Sequence, residues 1–271
     1  MSKTGYKRHG FTIFLLSGCL MVMVFMGITL STVLDGSYVK RVLTNDNNVA
    51  LIRNYTNQKL GSLVNSYSPI NNLSATTLSK SEVKKIINTS VDELYDGNPK
   101  LNTGDAILGT IGDNLKSESK AQGLNIGPEI DETLSSNKGI MDQIVNDNIG
   151  PINSALQNIK QIRGIVKTII LVAAILFILL AFRLRLKVGS NMLFLHHIGT
   201  VGICASILLA IVLVFIYYPV ATYITSNVEY GVKDVLYNIL NGIFTNYISI
   251  LIMMFVLSII DWGSTGKYKY N

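Results

Sequence analysis

The sequence predicts an all-α membrane protein, with four transmembrane helices and a large helical extracytoplasmic domain between helices 1 and 2. Three observations carry that expectation. Of 271 residues, 49% are hydrophobic and only 15% charged, and the mean hydropathy is +0.38; a soluble domain carries about 25% charged residues. Four apolar runs are long enough to cross a bilayer, which takes about 20 residues of helix. The remaining polar stretches show helical spacing and no convincing strand alternation. The composition excludes an ordinary cytosolic enzyme, a disordered chain and a disulfide scaffold. The two cysteines, Cys19 and Cys204, both lie in apolar runs.

The elements follow in chain order. Residues 1–10 form a basic N-terminus, and residues 11–34 a first span with no internal charge. Residues 35–163 form the long polar domain, and 164–183 a second span with Lys167 near its start. A short loop, 184–191, leads to the third span, 192–218. Residues 219–242 are an outer loop with an amphipathic helix. The fourth span is 243–262, with Asp261 at its end, and 263–271 is the C-terminus.

Lys and Arg in short flanks set the threading, because they stay on the cytoplasmic side. Lys3, Lys7 and Arg8 precede the first span. Arg183, Arg185 and Lys187 separate the second from the third, and Lys267 and Lys269 follow the fourth. In a four-span chain these flanks share a side, so both termini are expected in the cytoplasm and the protein in the cell membrane. The segment 35–163 carries 13 basic and 14 acidic residues, so the net charge of +6 comes mostly from the rim. That charge suits anionic lipid headgroups and is not read as a nucleic-acid interface.

Two other readings of the N-terminus compete with a plain anchor. A cleaved signal peptide has a shorter apolar region and a small-residue cleavage site, and neither is present. Leu16-Ser17-Gly18-Cys19 matches a bacterial lipobox, but the residues after Cys19 stay apolar.

The outer domain reads as helical. Val39, Val42 and Leu43 are expected to continue the direction of the first span. Leu51, Ile52, Tyr55, Leu60, Leu63, Val64 and Tyr67 extend a stripe after the polar patch Thr44 to Asn48, and Ser68-Pro69 breaks it. Ser79 or Ser81 can cap a helix with Glu82 in its first turn, whose apolar face is Val83, Ile86, Ile87, Val91 and Leu94. Asp96-Gly97-Asn98-Pro99 ends it. A short helix is expected from Asp105 to Lys116 in a glycine-rich stretch. From Glu129 a further stripe runs toward the second span, with a kink expected at Gly150-Pro151. Pro219 is expected to kink or end the third span. Val228, Val232, Val235, Leu236 and Ile239 form a stripe before the fourth. Such faces must be buried, and one bundle outside the membrane is preferred to helices lying on the leaflet. A large outer segment without cysteine, in a chain rich in Asn, Ile and Lys, points to a bacterium, Gram-positive by guess. The sequons at Asn54, Asn72 and Asn88 would then be plain polar surface.

Catalytic signals are sparse. His9, His196 and His197 are all placed on the cytoplasmic side, so the outer segment has neither His nor Cys. That argues against a zinc site or a His-based triad there. Adjacent helical residues diverge by about 100°, so His196 and His197 do not suggest one shared metal. Asp92-Glu93 and Glu129, Asp131 and Glu132 read as solvated faces. No catalytic residue, metal site or cofactor is expected. Inside the spans, the polar residues are Asn246 and Ser249 in the fourth and Ser206 in the third; the scarcity of charge argues against an ion-coupled carrier. Gly202, Ser206 and Ala210 form a small-residue ladder on the third span, and Gly27 and Ser31 a shorter one on the first. Such ladders mark helix-packing or oligomer interfaces.

The order of one span, a large outer domain and three closely spaced spans resembles the general plan of membrane subunits of bacterial cell-division and macrolide-export ABC systems. The resemblance covers topology only, and fold alone does not fix function. It implies a coupling segment for an ATPase in the cytoplasmic loop, for which Arg183 to Asn191 is very short. The leading expectation is a non-enzymatic envelope protein that binds or scaffolds a partner through its outer domain. The alternative is a transport or channel subunit, either a homo-oligomeric pore or ABC-permease-like. A membrane enzyme using the outer carboxylates is the third. Membrane lipids and a protein partner or a second copy are the expected partners.

Overall fold

The computed structural model describes residues 9–64, 77–96, 102–136, 138–139, 142–143, 158–226, 228 and 230–269. Among them the chain is all-helical, and four helices are long and apolar enough to cross a membrane. In order, the helices are α1 (Gly10–Ser31), α2 (Gly36–Leu43), α3 (Asp46–Val64), α4 (Lys80–Asp96) and α5 (Thr103–Ala121). Then come α6 (127–136), α7 (Ile159–Val188), α8 (Asn191–Ser226) and α9 (Tyr230–Thr265), with a 3-10 turn over Gly266–Lys269. The four apolar helices are α1, α7, α8 and α9.

The chain divides into two compact units. The first comprises Met1–Thr32, Arg163–Ile224 and Asn241–Asn271, and the second Val33–Ile162 and Thr225–Leu240.

In the first unit, α1 packs along α8. Leu16, Leu184 and Val201 are buried together, with Leu20, Phe177 and Leu180 around them. The outward faces of α7 and α9 keep Leu171, Ile178, Leu179, Ile252 and Ile260 exposed, as a helix solvated by lipid requires.

The second unit buries Val49, Leu78, Val83, Ile87, Val91, Ile111, Leu115 and Ile130 in one core drawn from α3 to α6, with Val39 and Leu43 of α2 packed against it. The Val83, Ile87 and Val91 spacing of four puts one stripe of α4 inward. Ser79 and Glu82 form a capping box: the Glu82 amide donates to Ser79 Oγ (3.3 Å), and the Ser79 amide to Glu82 Oε2 (2.6 Å). Gly112 allows α5 and α6 to approach, since a Cβ there would lie 2.6 Å from Leu134 Cδ1.

Several expectations are corrected. The first apolar run is helical only to Ser31, because Thr32 turns its hydroxyl back to Ile28 O (2.6 Å) and Asp35 caps a new helix through the Ser37 amide (3.1 Å). Val39, Val42 and Leu43 therefore belong to a separate helix, α2. The glycine-rich stretch holds a helix that is longer at both ends than Asp105 to Lys116.

Pro219 neither ends nor begins a loop. The helix widens into one π turn over Leu213–Tyr217, where the Tyr218 amide reaches Leu213 O, and continues through the proline to Ser226. A π turn tolerates a residue that cannot complete the α ladder. The stretch 219–242 is consequently almost all helix, and its amphipathic stripe is continuous with the fourth span in α9. Ser68-Pro69, Gly150-Pro151, Tyr67, the stripe between 144 and 157, and the side chains of Leu60, Leu63 and Val64 lie outside the described residues.

Candidate functional site

The apolar bundle has one polar seam, where α8 meets α1 and α9. Its centre is the glycine face of α8. A Cβ at Gly199 would lie 2.8 Å from the Trp262 backbone nitrogen and 3.0 Å from Ser258 O. A Cβ at Gly202 would lie 1.9 Å from Ser258 Oγ. Only hydrogen at Gly199 lets the two backbones touch, and only hydrogen at Gly202 leaves room for the Ser258 side chain, which is how helices associate where water supplies no driving force. Gly202 and Ser206 are buried and Ala210 is half-buried; Ser206 Oγ donates to Gly202 O at 2.9 Å. At Gly202 the ladder thus faces α9 within the chain.

On the α1 side, the buried Ser17 hydroxyl lies 2.9 Å from Ile13 O and 3.1 Å from Val201 O, a direct link to α8. Gly27 has no such neighbour, since a Cβ there would meet nothing within 4 Å, and Ser31 is exposed with its hydroxyl on Ile28 O (3.2 Å).

At one end of the seam the three histidines come together, which the sequence did not suggest. His196 and His197 are only 3% and 2% exposed. The His196 ring stacks on Trp262 (5.4 Å between centroids, 27° between planes), and its Nδ1 lies 3.2 Å from Trp262 O and 3.4 Å from Thr265 Oγ1. A proton on Nδ1 makes the carbonyl contact a hydrogen bond. His9 meets His197 edge-on at 5.9 Å. Here α1 and α8 begin and α9 finishes; Leu184, near the end of α7, packs with Leu16 and Val201. His196 and His197 are thus buried, and all three rings are packed against an aromatic or imidazole neighbour.

At the other end, Tyr247 is buried, with its hydroxyl 2.6 Å from Thr29 Oγ1 and its ring stacked on Phe25 at 5.3 Å. Tyr217, in the π turn, stacks on Phe244 at 5.7 Å and tilts against Tyr247 at 5.8 Å. These residues were missed in the sequence; a lone tyrosine within an apolar run was the available signal. Of the polar residues that were singled out, Asn246 donates to Gly242 O on its own helix (3.1 Å), and Ser249 is exposed.

The basic flank residues fall where helices end. Arg183, Arg185 and Lys187 occupy the last turns of α7, and Lys267 and Lys269 the turn after α9. Lys7 and Arg8 lie outside the described residues.

Several carboxylates of the second unit are paired or exposed among the described residues. Asp92 pairs with Lys40, Asp131 with Lys116 (2.5 Å), Asp46 with Lys84 (2.9 Å) and Asp105 with Lys138 (2.9 Å). Glu93 accepts from the Asn102 amide (2.9 Å) and Nδ2 (3.1 Å). Glu129 and Glu132 are exposed. Among the described residues no group of three His, Cys, Asp or Glu side chains could hold a metal ion. The buried Asn48 side chain donates to Val42 O (2.8 Å) and accepts from Asn238 Nδ2 (2.7 Å). That bond ties the start of α9 to α3.

Chemically, the seam does one thing well. It locks three apolar helices through backbone contact, stacked rings and internally satisfied hydroxyls. No protein-family model, curated protein or solved structure matches this chain.

Proposed function

We propose that this protein is a non-enzymatic, multi-pass envelope protein of a bacterial cell. Its four apolar helices anchor it in the cell membrane. Its second unit lies outside the cytoplasm and binds or scaffolds a protein or cell-wall partner. The observation that carries this reading is the composition of that unit. It is built from 33–162 and 225–240, the two segments that fall between the first and second and between the third and fourth apolar helices. Any four-span threading places those segments on one side, and the Asn48–Asn238 bond joins them. The Lys and Arg flanks favour the opposite side for both termini.

The unit has its own apolar core, and its Lys–Asp pairs link helix to helix across its surface. A self-contained body held at a membrane suits binding better than turnover. The channel alternative needs a polar path through the bundle, whereas the seam is closed by helix contact at Gly199 and Gly202. Purification from native membranes in mild detergent, with mass spectrometry of what comes along, tests the reading. A defined hetero-complex that disperses when the second unit's surface is altered is expected. A stable monomer with no companion, or ion flux through reconstituted vesicles, overturns it.

A further inference from the structure

We propose that the cleft between α1 and α7 holds one alkyl chain of a membrane lipid. Its volume is about 440 Å³, and its walls include Phe14, Gly18, Cys19 and Val22 on α1 and Ala173 and Leu176 on α7. Both helices are among the four that can cross a membrane, so the cleft opens to lipid rather than water.

The chemistry of the walls selects the occupant. The one hydroxyl, on Thr168, already donates to Gly164 O at 2.9 Å, and a thiol is a weak partner. A nucleotide, sugar or peptide would find its polar groups unmatched there, which burial penalises. The floor is left open on purpose of shape: a Cβ at Gly18 would meet nothing within 4 Å, while the adjacent Leu16 and Ser17 are fully buried.

Size separates the two apolar candidates. A helix with its side chains is about 10 Å across, so this volume would take roughly one turn of it. A single alkyl chain can lie along the groove and touch both walls, whereas a helix of that width would rest over its mouth and leave the floor unfilled. Lipid is already apolar, so retention comes from dispersion contacts with both walls, not from escape from water.

The test uses the full chain in nanodiscs doped with a phosphatidylcholine that carries a diazirine at the end of one acyl chain. After illumination, cross-links are mapped by mass spectrometry. The expected result is severalfold heavier labelling of 14–22 and 168–176 than of Leu179 and Ile260, which are exposed apolar residues outside the cleft. Filling the cleft with Gly18→Leu and Ala173→Leu is expected to remove that excess. Even labelling of all exposed apolar residues in the unaltered protein overturns the proposal, and that measurement needs no variant to fold. An excess that survives filling also overturns it. So does efficient oxidative Cys19–Cys19 cross-linking between copies in a Cys204→Ser background, which would put a second chain in the groove.

Discussion

At Gly199 an added methyl would strike backbone atoms of Trp262 and Ser258, while at Gly202 it would strike the Ser258 side chain. Backbone cannot rotate away, and a serine side chain can be removed. Gly199→Ala is therefore expected to cost more than Gly202→Ala, with overpacking in the range of about 1–3 kcal/mol. Ser258→Gly should restore Gly202→Ala and leave Gly199→Ala impaired. Thermal unfolding of the detergent-solubilised protein, read as a double-mutant cycle, checks both; equal costs without rescue would contradict the close approach. Asn48 is a second such residue, since its buried Oδ1 accepts from Asn238 Nδ2. Asn238→Leu leaves the buried Asn48 Oδ1 without its donor, with an expected loss of about 1–3 kcal/mol. Asn238→Asp, which keeps the size but offers no amide donor, should be no better, and a melt matching the unaltered protein would refute the bond.

Among the elements, α4 depends on its first turn. Ser79→Ala removes one half of the capping box and is expected to cost about 1 kcal/mol. The same turn responds to acid. Partial burial pushes the Glu82 carboxyl up, but hydrogen bonds from the Ser79 hydroxyl and amide and from Asn114 outweigh it and hold the group below the ordinary glutamate range. Asp46 at the start of α3 is likewise lowered, first by its hydrogen bond to Lys84 and then by that residue's charge. Groups lowered in the folded state contribute stability above the ordinary carboxylate values, about pH 4, and lose it as pH falls through their folded values. Unfolding of the second unit should therefore ease on acidification below about pH 4, and Glu82→Gln should flatten that dependence. A melt of the Glu82→Gln variant as acid-sensitive as the parent would show that this carboxylate is not responsible. Element α8 carries a different lesson, since its π turn before Pro219 keeps one helix running from Asn191 to Ser226.

For the whole molecule, the testable property is sidedness. In a background with Cys19→Ser and Cys204→Ser, cysteines placed at the exposed Glu132 and Lys187 should react oppositely with a membrane-impermeant maleimide. The Glu132→Cys variant is expected to label in intact cells, and the Lys187→Cys variant only after the membrane is opened. The reverse pattern would invert the threading and take the second unit out of reach of any envelope partner. Labelling of both in intact cells would contradict the four-span arrangement itself.

What the sequence determined by itself was class and count: an all-helical chain with four membrane-crossing runs. Those features are local, because hydropathy over about 20 residues and the three-to-four spacing of Val83, Ile87 and Val91 need no knowledge of neighbours. Small residues at Gly202 and Ser206 were also legible as candidates for a packing face. Which helix they face was not, because a glycine's use depends on what approaches it, and Ser258 and Trp262 lie more than fifty residues away. For the same reason the sequence singled out Gly27, where an added Cβ would meet nothing within 4 Å, and passed over Tyr247, whose hydroxyl finds Thr29 only in three dimensions. The histidines show the point most plainly. The sequence placed His9, His196 and His197 on one side of the membrane and no more, and tertiary structure alone packs two of them out of solvent against Trp262 and the third. Periodicity is written along the chain, whereas proximity is set by how antiparallel helices align, and only the folded chain decides that.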